Sequence, residues 1–215
     1  ANLPVPLLRT AAGRLGDASA SPDADGVYRR VPLSSTVEGK SVPSLAAAAV
    51  RAAGADAALA AAPLTEGKLL LRFRKPGTYP AYPAGKLIQS WADTQDGGKG
   101  SFDPELLKGR VVLVGLSAPG LRDLRPTPLS SNAPGTEVVA TAIDNILTAD
   151  SLRPVPSTVN ALLALLGLIA GAVAALRTGR AWQAGLTAGG ASFLLAAAAL
   201  GAFTRGYWLE MVLPQ

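Results

Sequence analysis

From Ser157 to Leu176 the chain reads STVNALLALLGLIAGAVAAL, and from Ala181 to Phe203 it reads AWQAGLTAGGASFLLAAAALGAF; neither stretch carries a charge. A helix gains about 1.5 Å per residue, so about twenty such residues cover the roughly 30 Å hydrocarbon layer of a bilayer. Only Arg177-Thr178-Gly179-Arg180 separates the two stretches. A soluble fold that buried both would keep little polar surface there, so transmembrane helices are expected over 157–176 and 181–203, with membrane lipid around them. Basic residues in short loops are retained in the cytoplasm. The loop 177–180 is therefore expected inside and residues 1–156 outside. Tyr207 and Trp208 then fall at the outer lipid–water boundary, which aromatic side chains prefer. Arg205 lies on the same outer side, one charge against two. Residues 204–215 are expected to be an outer-face segment leading to a third span. Gly167 and Gly171 form a G-x-x-x-G pair, and Gly185, Gly189, Gly190 and Ser192 crowd the second stretch. Such spacing lets membrane helices approach closely, in a hairpin or in a dimer.

The 215 residues leave room for one ordinary domain before these segments. The chain opens at Ala1 without an initiator Met or a leader-like start, and its reading is that of a fragment. Cysteine and histidine are both absent. That removes disulfides, thiol nucleophiles, His/Cys metal sites and Ser-His-Asp catalysis, so no catalytic residue, no metal ligand and no cofactor is assigned. The formal net charge is +5, and Arg177, Arg180, Arg205 and Glu210 lie beyond residue 156. The outer domain keeps only a small positive surplus, with no basic run and few aromatics, so nucleic acid is excluded as a partner.

Within 1–156, Pro22-Asp23-Ala24-Asp25-Gly26 is turn chemistry before an alternating strand, Val27 to Leu33. A calcium loop is rejected there, because Pro32 stands where a bidentate Glu is needed. PSLAAAAVRAAG, from Pro43 to Gly54, predicts a helix with a polar start and a glycine stop. Gly67 to Phe73 predicts a strand, and Ala84 to Ala92 a short helix. Val111-Val112-Leu113-Val114-Gly115 predicts a strand buried on both faces, as in parallel sheets covered by helices. A helix is predicted from Val138 to Leu147. The expected fold class is α/β, a mixed or mostly parallel sheet flanked by helices, followed by two transmembrane α-helices. Ligands in such sheets bind beyond the carboxyl ends of strands, so the loop from Leu116 to Ala133 is the expected binding region.

Gly115-Leu116-Ser117-Ala118-Pro119-Gly120 fails three catalytic templates. A nucleophile elbow needs glycine where Pro119 stands, and a histidine the chain lacks; a P-loop needs Lys-Ser/Thr where Leu121-Arg122 stands; a dinucleotide fingerprint fails on glycine spacing. Ser117, Arg122, Asp123 and Thr127 remain as candidate ligand contacts, with capping and turn formation as the structural alternative. Asp123, next to the strand end, is expected to tie the loop more firmly than Arg122.

LKGRVVLVGLSAPGLRDLRPTP, then PGTEVVATAIDNIL and Leu152-Arg153-Pro154, resemble the CHASE type 2 (CHASE2) sensor domain of bacterial adenylate cyclases, histidine kinases and serine/threonine kinases. Upstream, DADGVYRRVPL and PSLAAAA are similar to the same family's middle region. The resemblance implies an extracytoplasmic sensory domain without catalysis, lacking an N-terminal part, in a signal-transduction protein with three membrane helices before a cytoplasmic output. A class III adenylate or guanylate cyclase is the expected output, and a homodimer the expected assembly. The partner implied is an unidentified extracytoplasmic ligand or protein. The competing expectation is an envelope protein-interaction or assembly module that binds no small molecule.

Overall fold

The computed structural model describes residues 6–37, 39–116, 123–178 and 181–209. In chain order the elements are α1 (Pro6–Ala11), β1 (Arg30–Pro32), β2 (Ser34–Val37), β3 (Lys40–Pro43), α2 (Leu45–Ala52), α3 (Asp56–Ala60), β4 (Leu64–Thr65) and β5 (Lys68–Leu70). Then come α4 (Ala84–Gln95), a 3-10 turn (Pro104–Leu107), β6 (Leu124–Thr127), β7 (Ser130–Pro134), α5 (Gly135–Leu147), β8 (Arg153–Pro154), α6 (Ser157–Thr178), α7 (Ala181–Thr204) and β9 (Tyr207–Trp208).

Three consecutive leucines organise the core. Leu69, Leu70 and Leu71 are all buried, and successive strand side chains point to opposite faces, so both faces here are covered. β5 lies between β1 and β4 in an antiparallel sheet of order β1-β5-β4. On one face, Leu69 and Leu71 join Val31 and Leu33, and α2 and α5 close over them with Ala46, Val50, Val138, Ala142, Ile143 and Ile146. α2 forms because Ser44 caps it, accepting from the Ala47 amide at 3.2 Å, and because alanine favours helix; Gly54, at φ +76°, ends the turn beyond it. The buried stripe of α5 is Val138, Thr141, Ala142, Asn145 and Ile146, at helical spacing.

β4 and β5 are joined by Glu66-Gly67, with φ of 52° and 74°. Two left-handed residues make the turn whose twist suits a hairpin. Gly67→Ala is expected to cost about 1–2 kcal/mol, since an L side chain is penalised at this φ. An unchanged unfolding midpoint in denaturant would contradict that turn.

The predicted helices at 43–54, 84–92 and 138–147 are found as α2, α4 and α5, and the predicted strands as the shorter β1 and β5. The sheet expectation is corrected: the sheets are small and antiparallel, and the parallel pair among the described strands is β8 with β9. Hairpin connections dictate this, because a two-residue turn can only join antiparallel neighbours. Val111 to Gly115 is also corrected, being in no strand. Leu113 packs on the core, while Val114 is 87% exposed. Branched apolar residues favour a pleated surface but cannot supply a partner strand.

α6 and α7 pack against each other as a helical pair, with an ideal Cβ on Gly167 falling 3.7 Å from Leu195. Leu168, Leu176, Leu186, Phe193 and Leu200 on their outer surfaces are exposed. Among the described residues no helix is long and apolar enough to cross a membrane. The side chains at 174–175, 177–178, 181, 184 and 187–188 of these helices lie outside that set.

Near the start of the domain, Asp17 is held below the usual carboxylate range by the Ser35 hydroxyl at 2.5 Å and by Ser19. Asp25 is lowered to about 2, chiefly by its hydrogen bond from Arg29 and then by the Val27 amide. Both folded values lie below the unfolded ones, so the stability they contribute is present above about pH 4 and is lost as pH falls toward about 2. A melting temperature flat from pH 7 to about pH 4.5 and declining below is expected. Asp17→Asn with Asp25→Asn should shallow that decline, and an unaltered acid limb would discount both groups.

Candidate functional site

The chain beyond β5 leaves the sheet ladder, yet its backbone polar groups still need partners. Asn145, fully buried on α5, provides them: its Oδ1 accepts from the Arg72 amide at 2.6 Å, and its Nδ2 donates to the Arg72 carbonyl at 3.1 Å. A side-chain amide here does the work of a neighbouring strand. Two residues on, Arg74 donates through Nε to Asp144 at 2.7 Å and through Nη1 to Asp150 at 2.6 Å. The Asp144 hydrogen bond is the main reason the Arg74 pKa is raised still further. Tyr79 donates to Asp144 at 3.3 Å, and burial pushes its phenol pKa up.

Asp150 reaches this cluster through a backbone reversal. Past the end of α5, Ala149 takes a left-handed φ of 53°, and the Asp150 amide donates back to the Asn145 carbonyl at 3.0 Å. Asp150 then pairs with Arg72 Nη1 at 3.1 Å as well as with Arg74.

Arg72 also reaches across to the end of α7. Its Nη2 donates to the Phe203 carbonyl at 2.6 Å, and its guanidinium carbon lies 5.2 Å from the centre of the Phe203 ring. Its Nε is buried without a hydrogen-bond partner among the described residues. The backbone closes the same junction: Leu152 donates to Leu70 at 3.0 Å, Arg153 to Gly206 at 2.8 Å and Val155 to Trp208 at 2.9 Å. Both ends of the helical pair are thus bonded to the domain, one through β8 leading into α6 and one through β9 following α7. Between them opens a cavity of about 340 Å³, walled by Arg72, Asp150, Ser151, Arg153, Thr204 and Arg205 among others.

The residues singled out by sequence lie elsewhere. Ser117 and Arg122 fall outside the described residues. Thr127 ends β6 and Asp123 immediately precedes it, at the β6–β7 hairpin, where a loop is expected. The Asp123 carbonyl accepts from the Gly135 amide at 2.8 Å, and its carboxylate pairs with Arg125 at 3.4 Å. That carboxylate packs so closely on Gly135 that a Cβ there would collide with it. Thr127 is buried, and its hydroxyl bonds the Ser130 amide and carbonyl across the turn. The adjacent void, beside Arg125 and Gly135, measures about 20 Å³, room for about one water. Sequence reading passed over Arg72, Arg74, Asp144 and Asp150. The signal available was Asn145, a polar residue on the apolar stripe of α5, which demands a buried partner.

A small antiparallel sheet under two helices is continued by a helical pair whose two ends are both bonded to the domain. The CHASE2 domain family model matches residues 2–174, and the chain belongs to that family. CHASE2 domains are extracellular sensory domains of signalling proteins and are not catalytic. The match runs through the domain and most of α6. No curated protein and no solved structure matches the chain.

Proposed function

We propose that residues 1–156 are the extracytoplasmic input of a homodimeric inner-membrane protein, and that α6 and α7 cross the membrane to bias a class III nucleotide cyclase or, failing that, a kinase. The observation that carries this reading is the junction at Arg72: one side chain holds the sensor sheet, Asp150 and the α7 terminus together. A shift in the domain then cannot leave the helices where they were. A stimulus can act only through unequal affinity for two arrangements of this junction. The exposed leucines and phenylalanine of α6 and α7 suit a lipid surround.

The cysteine-free chain makes the topology directly testable. Lys99→Cys should react in intact cells with a membrane-impermeant maleimide, and Thr178→Cys only after the membrane is opened. Equal labelling of the two in intact cells would end the membrane reading. A second reading, an envelope protein-interaction module, is favoured by Ile88 and Trp91 on α4, which are 65% and 64% exposed. A domain that gains stability from no small molecule but loses a protein partner in Trp91→Glu would decide for it.

A further inference from the structure

Among the described residues, the junction cavity is lined by three arginines, Arg72, Arg153 and Arg205, against one carboxylate, Asp150. That carboxylate is already divided between Arg72 and Arg74, and Arg74 is further engaged by Asp144. The Arg153 side chain makes no hydrogen bond or ion pair among the described residues, and Arg205 spends one nitrogen on the Gly201 carbonyl at 3.2 Å. Arg72 Nε is buried and unpartnered. Three cations, drawn from just past β5, from β8 and from just past α7, therefore line one concavity, with donor capacity left over on Arg153 and Arg205. The hydroxyl-bearing Ser151 and Thr204 lie on the same wall. Like charges collected in a shared cavity repel one another unless an anion enters.

We infer that this cavity is an anion site for a phosphate group, held by the guanidinium forks of Arg153 and Arg205 with Arg72 behind them. Arginine forks bind phosphate bidentately, and three lining arginines from different elements offer more donors than one flat carboxylate can use. The volume of about 340 Å³ exceeds what phosphate alone fills, so a substituted phosphate fits. Two sources share that chemistry: a soluble phosphate compound outside the cell, or a phospholipid headgroup. The second source rests on the membrane reading, since it needs the ends of α6 and α7 at headgroup depth; phosphate affinity does not. Because the anion would touch the arginine that holds Phe203, its arrival would alter the bond between the domain and α7.

The test uses the full chain, purified in a phosphate-free detergent, with thermal unfolding followed at constant ionic strength. Inorganic phosphate and a short-chain phosphatidylglycerol below its micellar concentration are titrated separately against chloride. A ligand that binds only the folded state raises the melting temperature saturably, and loss of one charged fork should weaken apparent affinity about tenfold or more. The expected result is a saturable rise with at least one probe, much weakened in both Arg153→Gln and Arg205→Gln and kept in Arg110→Gln, which does not line the cavity. Response to inorganic phosphate assigns a soluble ligand; response to the lipid alone assigns a headgroup. No rise with either probe, or a rise kept in both cavity variants, overturns the inference. Phosphate binding in a chain whose Lys99→Cys label places the domain inside would sink the membrane reading and leave the site standing.

Discussion

Asn145→Leu is expected to lower the unfolding free energy by about 3 kcal/mol or more, although leucine is close to isosteric and the better helix former. The reason lies across the chain. Asn145 satisfies both the amide and the carbonyl of Arg72, and leucine would leave two part-buried backbone groups without partners. Each orphan costs about 1–3 kcal/mol, far more than a side-chain hydrogen bond contributes on balance. Asn145→Asp should also be severe: the carboxylate can still accept from the Arg72 amide, but it cannot donate to the carbonyl and brings charge into a fully buried position. Denaturant unfolding of the detergent-held chain measures both. A leucine variant within about 0.5 kcal/mol of the parent, the ordinary range of a surface change, would mean that the amide bridge is not formed.

Arg72→Ala should uncouple rather than unfold. It removes the bonds to Asp150 and to the Phe203 carbonyl while leaving the leucine core intact. A hydrogen bond to a charged group contributes about 1.5–3 kcal/mol, so local opening of the junction should become roughly 10–100 times more frequent. The amides of Arg153 and Val155, which donate to Gly206 and Trp208, should exchange faster by that factor. Those of Leu69 and Ile146 should change far less. Uniform acceleration at all four would show that Arg72 supports the whole domain, and no acceleration at 153 and 155 would show that the junction does not depend on it. Arg72→Lys should restore little, since an ammonium cannot span Asp150 and the Phe203 carbonyl with a fork.

The contrast between α5 and the segment 111–115 shows where sequence reading succeeds. Both are apolar runs of clear pattern. α5 appears where it was predicted because its hydrogen bonds close within the segment and its stripe of Val138, Ala142, Asn145 and Ile146 needs only some apolar surface to meet. Val111 to Gly115 has an equally clear strand composition, yet a strand bonds to something distant in sequence, and no described strand lies beside it. The expected parallel sheet failed with it. What the chain contains in its place are hairpins, whose turns at Glu66-Gly67 and between Thr127 and Ser130 are local features more easily overlooked than the hydrophobic run.

The candidate site divides in the same way. Asp123 and Thr127 are legible as polar residues in a loop, and the described structure gives both of them local partners in the hairpin. Arg72, Asp150, Arg153 and Arg205 are spread over more than half of the chain, and no spacing rule relates them.

By itself the sequence determined the absence of thiol and imidazole chemistry, the helices α2, α4 and α5, the two long apolar segments and the CHASE2 resemblance. Each of these is written in residue type or in a period of a few residues. Tertiary structure alone decided which strands pair, which predicted strand has no partner among the described residues, and which arginines share a cavity. Those outcomes depend on distances between residues far apart in the chain, and such distances come into being only when the core closes.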